Sequence, residues 1–247
     1  MDEIPESHPR HESLTQRHRL EAGVDAGITS RQGLIAHGRG ETFDYLLGER
    51  TLPSADTAER VAAAHLLRAD HAVLSVNGNV AALAPDELVE LAETVGADLE
   101  VNLFNRTEQR IRAIAEHLRD HGASEVKGLT ADARIPGLDH ERAKVDADGI
   151  YTADVVLVPL EDGDRAEALG EMGKTELVVD LNPMSRSAAV AAVPIVDNVV
   201  RALPSITDHA RDLREQATDL DAIIEDFDPE ETRAAAERQI RQGTTDG

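Results

Sequence analysis

The chain has 247 residues, 41 % hydrophobic but only 2 % aromatic, and its 48 acidic against 25 basic residues leave a formal net charge of -23. That length allows one large domain or two small ones, and that charge repels nucleic-acid phosphates and anionic membranes, so neither is expected as a partner. The absence of cysteine excludes disulfides, thiolate metal sites and cysteine nucleophiles, and no apolar run approaches the roughly 18 residues needed to cross a bilayer.

The opening MDEIPESHPR is polar and lacks the apolar core of a signal peptide, which leads us to expect a soluble, cytoplasmic protein. Only three lysines occur, Lys127, Lys144 and Lys174. A carboxylate-rich, lysine-poor surface suits a halophilic cytoplasm, where salt screens self-repulsion.

Residues 1–69 show helical patterns near 13–26 and 56–69 and no clear strand, so a helical N-terminal portion is expected. Within it, SHPRHESLTQRHR (7–19) carries Arg10, Arg17 and Arg19 against Glu12, a local reversal of sign. GLIAHGRGE (33–41) places Arg39 between Gly38 and Gly40, two residues after His37. Read as a loop, its glycines would let backbone approach a ligand, and its arginine suits a phosphate or carboxylate. A solvated ion pair would explain the same arginine. The Ala-rich stretch 58–69 offers small apolar surface for packing on a core and for a homodimer interface.

From residue 70 the pattern changes. AVLSV (72–76) is a strand candidate that ends in SVNGN. Pro85 opens a helix with Leu88, Leu91, Ala92 and Val95 on one face. LEVNLF (99–104) is the second strand. Thr107 is the expected N-cap of a helix with Ile111, Ile114, Ala115 and Leu118 buried. Further strands are expected at 125–129, 154–160, 176–181 and 193–197, with helices at 164–172 and roughly 204–224. Alternating strands and helices imply βαβ units, hence an α/β fold with a mainly parallel sheet. The organisation read from this is a helical portion over 1–69, an α/β core over 70–215 and an acidic helix or tail over 216–247, a solvated appendage.

In open α/β sheets ligands bind beyond the carboxyl ends of the strands. Polar runs gather at that edge: SVNGN, PLEDGDR, DLNPMSRS and DNVVR. Each alone could be an ordinary turn. SVNGN has one glycine where a dinucleotide fingerprint needs three, and no P-loop or histidine-pair metal motif occurs. The ten histidines read mostly as structural or solvated. Arg134, His140 and Arg142 form a second anion-directed cluster. The His37, Arg134, His140 and Arg142 side chains are the candidates for binding a second substrate.

Taken in order, IPESHPRHESL, GLIAHGRGETFDYLLGE, SVNGNVAAL, DARIPGLDHER, ADVVLVPLEDGDRAEAL, DLNPMSRSA and IVDNVVRALP resemble the archaeal 4-phosphopantoate–beta-alanine ligases, or phosphopantothenate synthetases. The resemblance runs from about Ile4 to about Arg214. It implies a Rossmann-like homodimer that joins 4-phosphopantoate to beta-alanine with ATP and Mg2+ in coenzyme A synthesis. The products would be 4-phosphopantothenate, AMP and diphosphate, formed through an acyl-adenylate. It carries ATP contacts over to Arg17, Arg39, Asp180, Leu181, Asn182, Arg186, Ser187, Asn198 and Val199. Of these, Arg17, Arg39 and Arg186 would form the phosphate clamp. Glu161, Asp162 and Asp164 are available to Mg2+, but suit loop caps or solvated charges better. Two rival classes share the alternating pattern: a nicotinamide-dependent oxidoreductase, which lacks its glycine fingerprint here, and a non-catalytic nucleotide-binding regulator.

Overall fold

A computed structural model describes residues 4–159 and 163–243. Three helices come first: α1 (His11–Asp25), α2 (Arg31–Leu47) and α3 (Pro53–Arg68). Then follow β1 (Ala72–Val76), α4 (Gly78–Leu83), α5 (Pro85–Val95), β2 (Asp98–Val101) and α6 (Glu108–Asp120). A small hairpin, β3 (Ala133–Arg134) and β4 (Lys144–Val145), precedes β5 (Val155–Pro159), α7 (Gly163–Glu171), β6 (Thr175–Val179), α8 (Arg186–Val190) and β7 (Val193–Ile195). Helices α9 (Val199–Glu215), α10 (Leu220–Glu225) and α11 (Pro229–Gln242) complete the chain.

The main sheet has the order β2-β1-β5-β6-β7, with every neighbouring pair parallel. The fold is therefore the expected α/β sheet with a helical N-terminal portion. Its strands are near-continuous Val/Leu/Ile runs because helices cover both faces, and alternate residues serve opposite layers. Leu74, Val76, Leu157, Leu177 and Val179 pack with α3, α5 and α9. Val73, Val156 and Val158 pack with Ile135, Ile150 and Leu169 on the other side. Burying one such side chain contributes about 1.5–3 kcal/mol. None of the five aromatic side chains is fully buried, so branched aliphatics and alanine fill the interior.

Several expectations need correction. GLIAHGRGE is the interior of α2, not a loop: Ser30 caps the helix through Gly33 N, and Gly48 ends it in the left-handed region (φ 93°). The strand expected over 99–104 ends at Val101. Residues 125–129 form no strand. Lys127 makes one parallel bridge to Glu100, and Gly128 at φ 92° then turns the chain away. The helix expected near 204–224 starts at Val199, is capped by Asn198, and breaks between Glu215 and Leu220. The C-terminal segment is no solvated appendage. Helix α11 packs on α2, α3 and β7, with Ala236 fully buried.

Candidate active site

The chain reverses direction across the sheet at β1 and β5, and a crevice opens beyond their carboxyl ends. Asn77 sits at this point. Its side chain caps α4 by accepting from Asn79 N (2.9 Å) and Val80 N (3.1 Å), and its Nδ2 donates to Pro159 O (2.7 Å). Gly78 is required by packing rather than by a ligand: a Cβ there would strike Ile28 O and come within 2.9 Å of Arg110 Nη2.

Over this floor lies a cavity of about 550 Å³. Helix α2 contributes Gly33, Ala36, Arg39, Gly40 and Phe43 as one wall. The β2–α6 segment contributes Phe104, Asn105 and Arg110, and the hairpin contributes Arg142. Asp180, Asn182 and Ser185 after β6 close the opposite side.

The two ends of the cavity differ chemically. At the β6 end, Asp180 accepts from Ser185 Oγ (2.6 Å) and Asn182 N (3.0 Å). Burial raises its pKa, while Ser185, Asn182 and the nearby charge of Arg39 oppose the shift. Arg39 itself is exposed and has neither ion pair nor hydrogen bond among the described residues. In a chain of net charge -23, a cavity-lining arginine left without a carboxylate is poised for a ligand anion.

At the other end, Arg110 Nη1 donates to Asn105 O (2.6 Å) and Nη2 to Ile28 O (2.9 Å), and burial lowers its pKa. Arg142 is buried at the cavity edge, and its carbonyl accepts from Asn102 Nδ2 (3.1 Å). Beneath, the fully buried Arg165 donates to Asn102 Oδ1 and to Ser75 Oγ (2.9 Å), anchoring α7 to the sheet.

Of the residues singled out from sequence, Arg39, Asp180, Asn182 and Arg142 line this cavity. Leu181 is buried, 3.4 Å from where a Cβ on Gly40 would lie. The others lie elsewhere. Arg17 makes a bidentate bond to Glu41 (2.6 and 3.1 Å), and Arg10 also reaches Glu41 (3.5 Å). Arg19 donates to Leu83 O (2.8 Å). The arginines of residues 7–19 are thus engaged within the chain. Arg186 pairs with Asp164 (2.7 Å) and Glu167 (3.0 Å).

Ser187 and Val199 are buried. Asn198 donates to Asp44 Oδ2 (2.7 Å) and Gln16 Oε1 (3.1 Å). The His37 ring is half-buried with Nε2 unpartnered among the described residues; burial lowers its pKa, Glu41 and Asp44 raise it, and Arg17 lowers it further. His140 stacks at a tilt on Phe104 with Nδ1 unpartnered among the described residues. Arg134 donates to Leu138 O (3.3 Å). Glu161 and Asp162 lie outside the described residues, and Asp164 is occupied by Arg186.

Sequence reasoning missed Arg110, Asn105 and Phe43, whereas the strand-end run SVNGN it singled out does line the cavity through Asn77, Gly78 and Asn79. Asn79 Nδ2 donates to Gly33 O (2.8 Å), binding α4 to the α2 wall, and a Cβ on Gly33 would collide with it.

A profile of the Phosphopantothenate/pantothenate synthetase family matches residues 54–243. The chain is 55 % identical over 230 residues, 92 % of its length and 88 % of the relative's, to the 4-phosphopantoate–beta-alanine ligase of Thermococcus onnurineus. To the enzymes of the same name from Thermococcus kodakarensis and Methanosarcina mazei it is 53 % identical, over 99 % and 98 % of its own length and 95 % and 96 % of theirs. No described helix is long and apolar enough to cross a membrane. With that agreement along almost the whole chain, and a polar crevice at the reversal point of its sheet, this protein belongs to the phosphopantothenate/pantothenate synthetase family.

Proposed function

We propose that this chain is an ATP-dependent 4-phosphopantoate–beta-alanine ligase whose reaction takes place in the crevice between α2 and the β1/β5 strand ends. One observation carries the siting: a cavity in a strongly acidic protein lined by Arg39, Arg110 and Arg142, with one carboxylate, Asp180, among its lining residues. Both proposed substrates, ATP and 4-phosphopantoate, are anionic, and holding them together requires such a concentration of arginine. The nucleotide takes the Asp180–Asn182 end with Arg39 on its phosphates. Arg110, Arg142 and Asn105 take the phosphorylated acid, with His37, His140 and Arg134 around it.

The pantoate carboxylate oxygen attacks the α-phosphorus and diphosphate leaves. The amine of beta-alanine then attacks the acyl carbon, AMP leaves, and the nitrogen loses a proton. Asp180 has both oxygens engaged by Ser185 and Asn182 N, so the described lining offers no dedicated cage for Mg2+. That fits a magnesium ion carried in on the nucleotide's own phosphates, where it offsets their charge. Arg17, Arg186, Leu181, Ser187, Asn198 and Val199 belong to the same proposal. Arg17 would have to exchange Glu41 for a phosphate, and Arg186 would have to exchange Asp164 and Glu167.

A homodimer is part of this reading; the 58–69 stretch expected at its interface is instead buried within the chain, with Ala58, Ala62, Ala63 and Ala64 0 % exposed, and the exposed Ile35 and Tyr45 on α2 are the apolar surface that supports it. Light scattering should give twice the 26.7 kDa chain mass. The deciding experiment incubates the protein with ATP, Mg2+, beta-alanine and 4-phosphopantoate carrying heavy oxygen in its carboxylate, in high salt. Mass spectrometry should find 4-phosphopantothenate and labelled AMP; stoichiometric ADP and phosphate would exclude the adenylate route.

A further inference from the structure

Helices α3 and α9 pack closely along a seam whose buried small residues include Ala58 and Ala62 on α3 and Ala202 and Ala210 on α9. Into one end of this seam α3 directs Asp56 and Glu59, and α9 directs Ser205 and His209. The i,i+3 and i,i+4 spacings put each pair on one helix face. His209 Nε2 lies 3.0 Å from Asp56 Oδ1, and Ser205 Oγ donates to Glu59 Oε2 (2.6 Å). One donor atom from each of Asp56, Glu59 and His209 lies within 4.8 Å of the other two.

Glu59 is 0 % exposed, and its Oε1 has no hydrogen-bond partner among the described residues. No lysine or arginine pairs with it there. Its charged neighbours are Asp197 and Asp56, both negative, and it lies within hydrogen-bonding reach of the Asp197 carboxylate, a contact that forms only when one of the two carries a proton. Burial pushes its carboxyl up to about 8; the Ser205 hydroxyl opposes the rise, and the two aspartates add to it. A buried carboxylate among carboxylates needs either a proton or a cation.

We propose that Asp56, Glu59 and His209 bind one divalent cation of the zinc type, clasping α3 to α9. Two carboxylate oxygens and one imidazole nitrogen suit Zn2+, whereas Mg2+ and Ca2+ prefer oxygen throughout. Ligand atoms bound tetrahedrally at about 2.0–2.1 Å lie about 3.3 Å apart, so the 3.0 Å His209–Asp56 contact needs little adjustment. Asp56 is exposed, which leaves a route from solvent and room for water in the remaining position. The site stands apart from the ligase reading and does not depend on it.

The test titrates the chelator-treated full chain with zinc chloride by calorimetry, without nucleotide and in high potassium chloride, beside melting curves. The parent should bind one Zn2+ per chain and melt higher with it. Glu59→Gln keeps the shape and the Ser205 contact without the charge, so its metal-free melting temperature should match or exceed the parent's. Both Glu59→Gln and His209→Gln should bind Zn2+ at least about tenfold more weakly. Absence of stoichiometric binding by the parent overturns the proposal. So does parent-like binding by either variant, because the zinc would then sit on surface carboxylates.

Discussion

Replacing Arg201 by methionine should cost far more stability than replacing the exposed, cavity-lining Arg39. Its guanidinium contacts Asp197 Oδ1 through Nε (2.9 Å) and Nη2 (2.5 Å), and Asp44 through Nη2 (2.6 Å) and Nη1 (3.3 Å). The carboxylates are 1 % and 8 % exposed. Burial works against the arginine's charge, yet Asp44 and Asp197 hold its pKa above the ordinary range. Methionine fills much of the volume but strands two buried anions, and breaking a buried pair costs about 3–5 kcal/mol. The loss should not exceed that range, because Asp197 keeps Thr51 Oγ1 (2.5 Å) and Asn198 N (2.7 Å), and Asp44 keeps Asn198 Nδ2. Urea unfolding followed by far-ultraviolet dichroism, at neutral pH and fixed potassium chloride, measures it. Adding Asp44→Asn should recover part of the deficit, a coupling visible in a double-mutant cycle. A loss below about 1 kcal/mol would refute the argument, since it would mean the two carboxylates do not depend on this cation.

Arg39→Ala should weaken ATP binding about tenfold to a hundredfold, the loss of about 1.5–3 kcal/mol from one charge-assisted contact. Arg39→Lys should fall between, and both should melt like the parent; parent-like affinity in the calorimeter would remove Arg39 from the nucleotide site. Gly38→Ala should raise stability by about 0.5–1 kcal/mol, because Gly38 is mid-helix with nothing within 4 Å of its Cβ position; a destabilised variant would show that glycine is needed there. Burial pushes Glu100 up to about 7, Asp146 adds to this, and Ile150 N, Asp146 N and Arg165 oppose it. Between pH 4.5 and 7 the native state keeps a proton that the unfolded chain loses, so stability should fall by up to about 3 kcal/mol as pH rises through that window. Glu100→Gln should flatten that part of the curve, and an unchanged slope would discard the assignment. We propose a halophilic adaptation from the net charge of -23. The melting temperature should accordingly climb from dilute buffer to molar potassium chloride, and a flat response would contradict it.

The sheet was readable because most of its strands are near-continuous apolar runs at a length helices cannot use (β2, Asp-Leu-Glu-Val, is the exception), and its caps are local: Thr107 holds Arg110 N, and Asn198 holds Val200 N. Helix α2 was missed because three glycines and a broken apolar pattern hide it, although Ser30 and Gly48 mark its ends. The strand expected over 125–129 failed because Gly128 imposes a turn that a hydrophobic run does not reveal. At the site, strand-end residues such as Asp180 and Asn182 followed from topology, since loops after parallel strands share one edge. Arg110 and Phe43 did not, because they reach the cavity from helices packed over that edge, and only tertiary packing decides which helical turn faces inward. The engagement of Arg17 by Glu41 is equally invisible in sequence, being a contact between separate helices.

Asn77 has a mechanical consequence. At the reversal point two neighbouring strands carry their crossovers to opposite sides, and a sheet could gape there like a split plank. One amide spans that split, holding the end of β5 and the start of α4 together. The floor of the crevice is therefore braced, and any adjustment to a ligand is expected in the α2 wall, which is tied to α4 through Asn79. Amide hydrogen exchange should find β1 and β5 slow in free and nucleotide-bound protein alike, with the change on binding concentrated in α2.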